Sequence, residues 1–419
     1  MKVLLINTFE TKGGAAVACK RLARALQKQG ADVSMLVCEK KSTDSFVYSV
    51  IKSNLDKRHL RFIFLEERFH IFFVNRFHRE NLFAVSTASK GFDIVHHPLV
   101  KEADIIHLNW INQGYLSIHG IDQLLKLGKP VIWTMHDMWP ITGICHHSRE
   151  CNRYMDDCGF CMFLHKPSKK DLSYHILKRK KKCFQGAGIH FVACSQWLRK
   201  RAEISSLSIG NTITNIPNPI DTEHFSPGDK DDARIALNLP KDKKLLLFGA
   251  LIASDKRKGI DYLVEATHLL ADLSENVELV FCGEIKEKIA SVFGLKAHAL
   301  GYISDPDLIV KMYQSADCFV MPSLEENLPN MIMEAMACGI PCVGFNVGGI
   351  SEMIRHKQTG YVSVNRSAED FAAGIRYVLE RSDDADFKKS NRDFVLCNYS
   401  ESAVTNRYMK LYMEANNKK

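Results

Sequence analysis

Residues 1–37, MKVLLINTFETKGGAAVACKRLARALQKQGADVSMLV, contain a strand, a glycine turn, a helix and a second strand. Residues 3–7 form a short apolar run typical of buried strands, and residues 31–37 form another. Between these runs, apolar side chains recur at helical spacing, namely Ala15, Cys19, Leu22, Ala23 and Leu26. A strand, a helix and a strand in this order predict a parallel sheet with helices on both faces.

The same alternation continues along the rest of the 419 residues. Further strands are predicted at residues 105–109, 131–135, 190–195, 245–249, 277–282, 298–300, 318–321 and 341–345. Helices are predicted at residues 260–273, 305–314 and 330–338. Closely spaced prolines, Pro217 and Pro219, mark a linker. We therefore predict an α/β protein with two doubly wound, Rossmann-like domains, residues 1–215 and 216–395, and a ligand site in the cleft between them. Residues 396–419 are predicted to form a helix that crosses back to the N-terminal domain.

The charges are unevenly divided along the chain. The net charge is +8, to which residues 1–210 contribute +14 and residues 211–419 contribute −6. Opposite signs indicate two domains with different partners. No apolar run approaches the roughly 20 residues that span a bilayer, and the first residues lack a signal-peptide cleavage pattern. We therefore expect a cytoplasmic protein, in which the 13 cysteines are free thiols, buried apolar side chains or metal ligands.

Residues 322–330, PSLEENLPN, are the segment with the most potential chemistry. Glu326 is predicted to lie in a loop after a strand, and Glu334 about one turn inside the helix that follows. The N-terminus of a helix offers N–H groups and a positive dipole end to a phosphate, and a carboxylate accepts hydrogen bonds from sugar hydroxyls. Two isolated glutamates at this spacing are more often solvated charges on a helix, so the context of the segment decides its meaning.

The order of motifs along the chain resembles that of the retaining glycosyltransferases of family 4, in particular a bacterial polysaccharide-biosynthesis branch. The matching segments are residues 13–16, 216–221, 258–263, 281–283, 300–304, 313–317, 322–334, 341–343 and 348–352. The resemblance implies the GT-B fold, in which two Rossmann-like domains face each other across a cleft. It also implies that the N-terminal domain binds the acceptor and the C-terminal domain binds the nucleotide-sugar donor.

In the C-terminal domain, the resemblance implies specific roles for the donor-binding residues. Glu326 is implied to bind hydroxyls of the sugar, Glu334 the ribose, and Lys258, with Arg257, the phosphates. Backbone N–H groups around Leu328, Asn330 and Met331 are implied to bind the diphosphate. Two further loops, which contain Gly283 and Ser304, are implied to hold the base. Many members of the family carry an arginine where this chain has Ala250, so Arg257 or Lys256 is expected to substitute.

In the N-terminal domain, the implied site residues follow three predicted strands. Gly13 and Gly14 let the backbone approach the donor closely, and no G-x-G-x-x-G motif points to a dehydrogenase. His136 is implied to contact the donor sugar near the reacting carbon, which completes a catalytic set with Glu326 and Lys258. The acceptor is expected at Asn109, Trp110 and Asp137, although Asp137 could instead orient His136.

The resemblance implies transfer of a hexose-type sugar from a nucleotide-sugar donor to a glycan or lipid-linked glycan, with retention of anomeric configuration, in surface polysaccharide biosynthesis. No cofactor is expected for catalysis. A rival with the same fold is a sugar-nucleotide epimerase; a phosphorylase would bring a pyridoxal-binding lysine motif that is not recognised here. A nucleic-acid-binding zinc protein is a more distant alternative, because the acidic half carries the sugar-nucleotide motifs. We therefore expect no nucleic-acid partner.

Four cysteines lie within 17 residues, at Cys145, Cys151, Cys158 and Cys161. Four thiolates suit tetrahedral zinc, and the last two have the usual C-x2-C ligand spacing, whereas the first pair is spaced more widely. The sequence leaves three interpretations open, which are a structural zinc site, reduced thiols and disulfides.

Residues 51–80 interleave basic side chains with phenylalanines, and a second basic cluster lies at residues 166–182. This pattern fits binding to an anionic membrane surface, such as the inner face of the plasma membrane, where a lipid-linked acceptor would be met. It equally fits a helix whose phenylalanines face the core while its charges face water.

Overall fold

The computed structural model describes residues 1–252, 255–284 and 291–417. The chain divides into two compact units, one formed by Met1–Pro219 with Val404–Lys419 and the other by Ile220–Ala403. Each unit is built on one parallel sheet, which confirms the predicted α/β fold with two Rossmann-like domains. Within the described ranges, no helix has both the length and the apolar character needed to cross a membrane.

The first unit contains a seven-stranded sheet in the order β3-β2-β1-β4-β5-β6-β7. Its strands are β1 (Lys2–Ile6), β2 (Asp32–Val37), β3 (Val47–Ser49), β4 (Ile105–Leu108), β5 (Val131–Met135), β6 (His190–Ala193) and β7 (Thr212–Asn215). Its helices are α1 (Gly14–Lys28), α2 (Asn54–Val74), α3 (Pro98–Glu102), α4 (Ile118–Leu125), α5 (Leu172–Phe184) and α6 (Gln196–Glu203). Side chains capping the first turn fix where several of these helices begin, as Ser53 does by accepting a hydrogen bond from Asp56 N.

Alternate side chains of the strands enter two separate cores, one on each face of this sheet. Leu4 and Ile6 join the core beneath helices α2, α4, α5 and α6. Val3 and Leu5 join the core beneath α1, which also contains Tyr408 and Tyr412 from the last helix of the chain. The apolar runs of the sequence are continuous because both faces of the sheet are covered.

The second unit contains a six-stranded sheet in the order β10-β9-β8-β11-β12-β13. Its strands are β8 (Lys244–Ile252), β9 (Val277–Glu284), β10 (Ala297–Gly301), β11 (Cys318–Met321), β12 (Cys342–Phe345) and β13 (Gly360–Ser363). Its helices are α7 (Lys230–Ala236), α8 (Ile260–Leu269), α9 (Pro306–Gln314), α10 (Asn330–Ala337), α11 (Ile350–Met353), α12 (Ala368–Leu379) and α13 (Ala385–Tyr399).

The last helix, α14 (Glu401–Asn416), joins the first unit from Val404 onward. The Tyr412 hydroxyl lies 2.8 Å from His107 Nδ1, and the Tyr408 hydroxyl lies 2.8 Å from Thr134 Oγ1. Both tyrosines are fully buried, so each polar tip needs the partner that the strands supply. The helix is therefore part of the core of the first unit.

Candidate functional site

Lys258 and Glu326 meet at the carboxyl ends of two neighbouring strands in the second unit. Strands β8 and β11 pair directly, and the strand order reverses at this point, where open α/β sheets usually bind ligands. Lys258 lies between β8 and α8, and Glu326 lies in the loop from β11 to α10. Lys258 Nζ is 2.5 Å from Glu326 Oε1. Two residues that are far apart in the sequence thus form one charged pair.

Two glycines permit this close approach of the loops. Gly259 has a φ of 66°, and a Cβ at this position would lie 1.8 Å from the carbonyl oxygen of Pro322. Gly348 has a φ of 56°, and its Cβ would lie 1.7 Å from the carbonyl oxygen of Glu326. A side chain at either position would push apart the segments that carry the charged pair.

Arg257 is held by a carboxylate of its own turn. Its Nη2 donates to Asp255 Oδ2 over 2.7 Å, and its Nε donates to Asp255 Oδ1 over 3.1 Å. Burial alone would raise the pKa of Asp255, but the arginine more than offsets this effect and lowers it. The Arg257 carbonyl also accepts from Leu324 N over 2.7 Å, which ties the turn to the loop of Glu326. A phosphate at this site would compete with Asp255 for the guanidinium group.

Glu334 is oriented by a tyrosine that the sequence analysis did not assign to the site. The Tyr313 hydroxyl donates to Glu334 Oε2 over 2.6 Å, and both side chains are buried. Burial and the nearby carboxylate raise the pKa of Tyr313 well above its usual value, so the hydroxyl remains a donor. One oxygen of Glu334 is therefore fixed in place by the core of the unit.

The other predicted donor-binding residues of the second unit lie at the same edge of its sheet. Leu328 is buried just before α10, whose N-cap residue, Pro329, provides no side-chain cap. Asn330 and Met331 begin this helix, and the Met331 side chain packs against Gly249 of β8. The last two predicted donor-binding residues, Gly283 and Ser304, lie at the ends of β9 and β10. Gly283 is buried and Ser304 is exposed.

The first unit gathers its predicted residues in the same way. Gly13 and Gly14 follow β1 and begin α1. Asn109 and Trp110 follow β4, and His136 and Asp137 follow β5. Because β1, β4 and β5 are consecutive in the sheet, these residues lie at one edge.

His136 is oriented by Asn109 and is neutral at physiological pH. Its Nε2 lies 3.0 Å from Asn109 Oδ1, an acceptor, so this nitrogen carries the proton. Its Nδ1 lies 3.9 Å from the sulfur of Cys194. Burial lowers the pKa of His136 to about 4 although Asp137 acts in the opposite direction. The imidazole can therefore hydrogen-bond a sugar without placing a positive charge beside it.

Asp137 uses its carboxylate to hold neighbouring side chains. Its Oδ2 accepts from Trp110 Nε1 over 2.7 Å and lies 2.6 Å from His146 Nδ1, while Oδ1 accepts from Trp139 N over 2.8 Å. Burial would raise the pKa of Asp137, but His146 and the other partners lower it to about 2. The carboxylate is therefore ionised and fixes the indole of Trp110, one of the residues predicted to shape the acceptor pocket.

His146 is a second residue whose importance the sequence did not indicate. Its Nε2 lies 2.9 Å from Ser86 Oγ, so the imidazole bridges Asp137 to the loop that follows α2. In the sequence it was only one of two histidines between cysteines, and no spacing rule marked it. The antiparallel contact between Val85 and Cys145, which brings these segments together, is equally invisible in the sequence.

The four clustered cysteines line one small cavity, with a volume of about 20 Å³, in the first unit. All four are free thiols, and of the four only Cys161 is buried, while the others are partly exposed. Across the ranges that the structure describes, no three His, Cys, Asp or Glu side chains are arranged to ligate a metal ion. The cavity brings the four sulfur-bearing side chains together, and zinc binding stays a prediction.

Three comparisons with known proteins agree with this architecture. Several curated proteins match part of the chain. One of them, a D-inositol 3-phosphate glycosyltransferase of Geodermatophilus obscurus, is 32% identical over 182 residues, which is 40% of each chain. An N,N'-diacetylbacillosaminyl-diphospho-undecaprenol alpha-1,3-N-acetylgalactosaminyltransferase of Campylobacter jejuni is 29% identical over 175 residues, 42% of this chain and 46% of the relative. The chain spans about two fifths of the length of the curated relatives that it matches first.

Solved structures show the same fold over the whole chain. Anabaena HepE, solved in complex with UDP-glucose, has a TM-score of 0.62 at 14% identity and covers 99% of this chain and 100% of its own. The family model for glycosyl transferases group 1 matches residues 229–394. The model for Glycosyltransferase Family 4 matches residues 12–224, which is half of the chain. The protein therefore belongs to Glycosyltransferase Family 4.

Proposed function

We propose that this protein is a retaining glycosyltransferase that moves a hexose-type sugar from a nucleotide-sugar donor to a glycan or lipid-linked glycan acceptor. The observation that carries the proposal is the pairing of Lys258 with Glu326 at a strand-order reversal, just before the N-terminus of α10. A cation, a carboxylate and a helix N-terminus at one edge can bind phosphates and sugar hydroxyls together. The UDP-glucose bound to Anabaena HepE supports a nucleotide-sugar donor.

The departing nucleoside diphosphate sets the chemistry that the site supplies. It leaves as an anion, so catalysis depends on positioning and on stabilising the developing charge. Lys258, with Arg257 nearby, neutralises the phosphates, and the N-terminus of α10 adds its dipole. Glu326 holds hydroxyls of the sugar and Glu334 holds the ribose. The acceptor hydroxyl attacks the anomeric carbon from the face of the leaving group as the bond to the diphosphate breaks, which retains the configuration, and its proton passes to the departing phosphate oxygen. Neutral His136 contacts the sugar beside this carbon.

We propose that the acceptor is an intermediate of bacterial surface polysaccharide biosynthesis. We further propose that the enzyme meets it at the cytoplasmic face of the membrane. The excess of basic residues in the first 210 residues suits an anionic or diphosphate-linked acceptor. The Campylobacter relative, whose name specifies a diphospho-undecaprenol acceptor, supports a lipid-linked substrate.

The proposal is tested by a screen followed by a transfer assay. Nucleotide sugars are first ranked by the thermal shift that they produce, and the best ligand is then used with lipid-linked glycan acceptors. We expect one nucleotide sugar to stabilise the protein and to give a product whose anomeric configuration, read by NMR, equals that of the donor. Donor consumption that does not depend on acceptor would instead indicate an epimerase or hydrolase, and an inverted product would overturn retention.

Removal of the Tyr313 hydroxyl is expected to weaken donor binding more than it slows turnover. Tyr313→Phe removes the hydroxyl that donates to Glu334 Oε2. Loss of a hydrogen bond to a charged group typically costs a factor of roughly ten or more in binding. We expect the KM for the donor to rise about tenfold while kcat stays within about twofold. Tyr377→Phe is the matched control, because it removes a hydroxyl that donates to Lys357 O elsewhere in the same unit. Equal effects of the two substitutions would contradict the positioning role.

We propose zinc as the ligand of the four-cysteine cavity. Its sulfur donors are the kind that structural zinc prefers, and the ion would require the side chains to close in around it. Protein purified without chelator is expected to carry about one zinc ion per chain by elemental analysis. Cys158→Ser should lose the metal, whereas Cys183→Ser, outside the cavity, should keep it. A zinc content near zero in the unsubstituted protein would reject the site.

A further inference from the structure

Helix α2 carries a row of apolar side chains that face solvent. Phe62, Leu65, Phe69 and Phe73 are spaced by three, four and four residues, which places them on one stripe of the helix. They are 52–65% exposed, and Phe77, just after the helix, is 62% exposed. We call these five side chains the aromatic face. The interpretation in which the phenylalanines of this helix point into the core is therefore wrong for Phe62, Phe69 and Phe73, and Phe77 beyond its end is exposed as well.

The opposite side of α2 is anchored to the protein and fixes the orientation of the helix. Ile63 and Ile71 are both buried, and Ile71 belongs to the core beneath α2, α4, α5 and α6. Arg68 is also buried, and its Nη1 donates to the carbonyl of Val85 over 2.9 Å. The neighbouring Glu67 accepts hydrogen bonds from Thr87 N and Ala88 N. The outward direction of the aromatic face is thus set by a buried polar network, and no rotation of the helix could hide it.

Exposed arginines surround the aromatic face. Arg58 and Arg61 precede it on the helix, while Arg76 and Arg79 follow it, and all four are exposed. None of the four forms an ion pair with another side chain in the described part of the chain. By contrast, Lys57 pairs with Glu39 and lies beyond this set. The surface therefore combines apolar side chains with cations that have no anionic partner among the residues that the structure describes.

A wide groove runs along the same face. It has a volume of about 580 Å³ and is lined by five apolar side chains, Phe62, Leu65, Phe69, Phe72 and Leu82, together with Glu66, Arg68 and Arg79. The one carboxylate among them, Glu66, pairs with Lys90. Contiguous apolar surface of this kind is uncommon on monomeric proteins and marks a site of interaction. Its open shape and mostly apolar lining suit the boundary between lipid headgroups and acyl chains better than a compact polar ligand.

We propose that the aromatic face and its four arginines bind the surface of an anionic lipid bilayer. Phenylalanine side chains enter the boundary below the headgroups, and the arginines contact the anionic headgroups. A second copy of the chain is a poorer occupant, because a two-fold contact through α2 would bring the arginines of both copies together without partners. The inference goes beyond the proposed function, since this binding requires neither donor nor acceptor.

Vesicle flotation with the full chain tests the proposal. The probes are vesicles of phosphatidylcholine alone and of phosphatidylcholine mixed with phosphatidylglycerol in a three-to-one ratio. We expect binding to the mixed vesicles that weakens as salt is raised, and little binding to the neutral ones. Phe69→Ser combined with Phe73→Ser should reduce the partition coefficient at least about tenfold. Arg58→Ala combined with Arg61→Ala should reduce it roughly thirtyfold.

Matched controls separate this surface from general stickiness and from misfolding. Ile235→Ser removes an apolar side chain that is 62% exposed in the second unit, and Arg407→Ala removes an exposed arginine of α14. Both should bind vesicles as the unsubstituted protein does, and every variant should keep its melting temperature. Equal loss in the controls, equal binding to neutral vesicles, or a dimer that the α2 substitutions dissociate without any vesicle binding would overturn the proposal. Failure of flotation would leave the transfer assay unaffected, so the two proposals fail separately.

Discussion

Glu326→Gln is expected to lower kcat/KM for glycosyl transfer about a thousandfold, because loss of one charge-assisted contact in a buried transition-state site typically costs a hundred- to a thousandfold. The substitution keeps the shape of the side chain and removes the charge that pairs with Lys258 and that we propose binds the sugar hydroxyls. The measurement is the initial rate of transfer at several donor concentrations, with the nucleotide sugar found by the screen. We expect most of the loss in kcat, since the contact strengthens as positive charge develops on the sugar ring.

The neighbouring residue provides the control for this substitution. Glu325 lies in the same loop and carries the same charge, and Glu325→Gln should retain activity within about threefold. Near-normal turnover by purified, folded Glu326→Gln, or an equal loss in Glu325→Gln, would contradict the role assigned to Glu326.

Lys258→Ala is expected to reduce kcat/KM at least about a hundredfold, because a diphosphate whose charge is not neutralised is a poor leaving group. The substitution also removes the Lys258 ammonium group from Glu326, whose side chain is only 16% exposed. We therefore expect a higher KM for the donor as well as a lower kcat. The binding of free nucleoside diphosphate, measured by calorimetry, should weaken in parallel.

Lys256→Ala is the matched control, since Lys256 belongs to the same short turn, Lys256–Lys258, and is exposed. Of the two candidates for the second phosphate cation we choose Arg257 over Lys256, because the Arg257 carbonyl accepts from Leu324 N in the loop of Glu326. It should lose less than about threefold in kcat/KM. If Lys256→Ala proved as damaging as Lys258→Ala, the phosphate-binding cation would be misassigned, and unchanged nucleotide affinity in Lys258→Ala would have the same meaning.

The sequence was most informative where the sheet is buried on both faces. The predicted strands at residues 131–135 and 318–321 coincide with β5 and β11, because short, continuous apolar runs suit strands that are covered on both faces. Strand β3 has three residues at the edge of its sheet, and β7 has the polar sequence TITN, so neither carries such a run. The helix predicted at residues 260–273 ends at Leu269 and continues as a 3-10 turn at Ala271–Leu273.

The candidate site divides in the same way between what the sequence could and could not indicate. Loops after strands could be identified from spacing, and with them the positions of Lys258, Glu326 and His136. The partners that orient these groups come from distant segments. Tyr313 reaches Glu334 across 21 residues, and Asn109 reaches His136 across 27. Such contacts depend on how helices and strands pack, which periodicity in one segment does not encode.

The return of α14 to the first unit has a consequence for the order in which the protein folds. Strands β1, β2 and β4 are synthesised first, yet the core against one face of their sheet includes Val404, Tyr408 and Tyr412. Until these residues leave the ribosome, that face has exposed apolar surface, and Thr134 Oγ1 has His107 Nε2 as a neighbour but not the Tyr408 hydroxyl. Contacts over such long separations form late in folding. The second unit, whose residues are contiguous, can thus be complete before the first, although its residues are translated later.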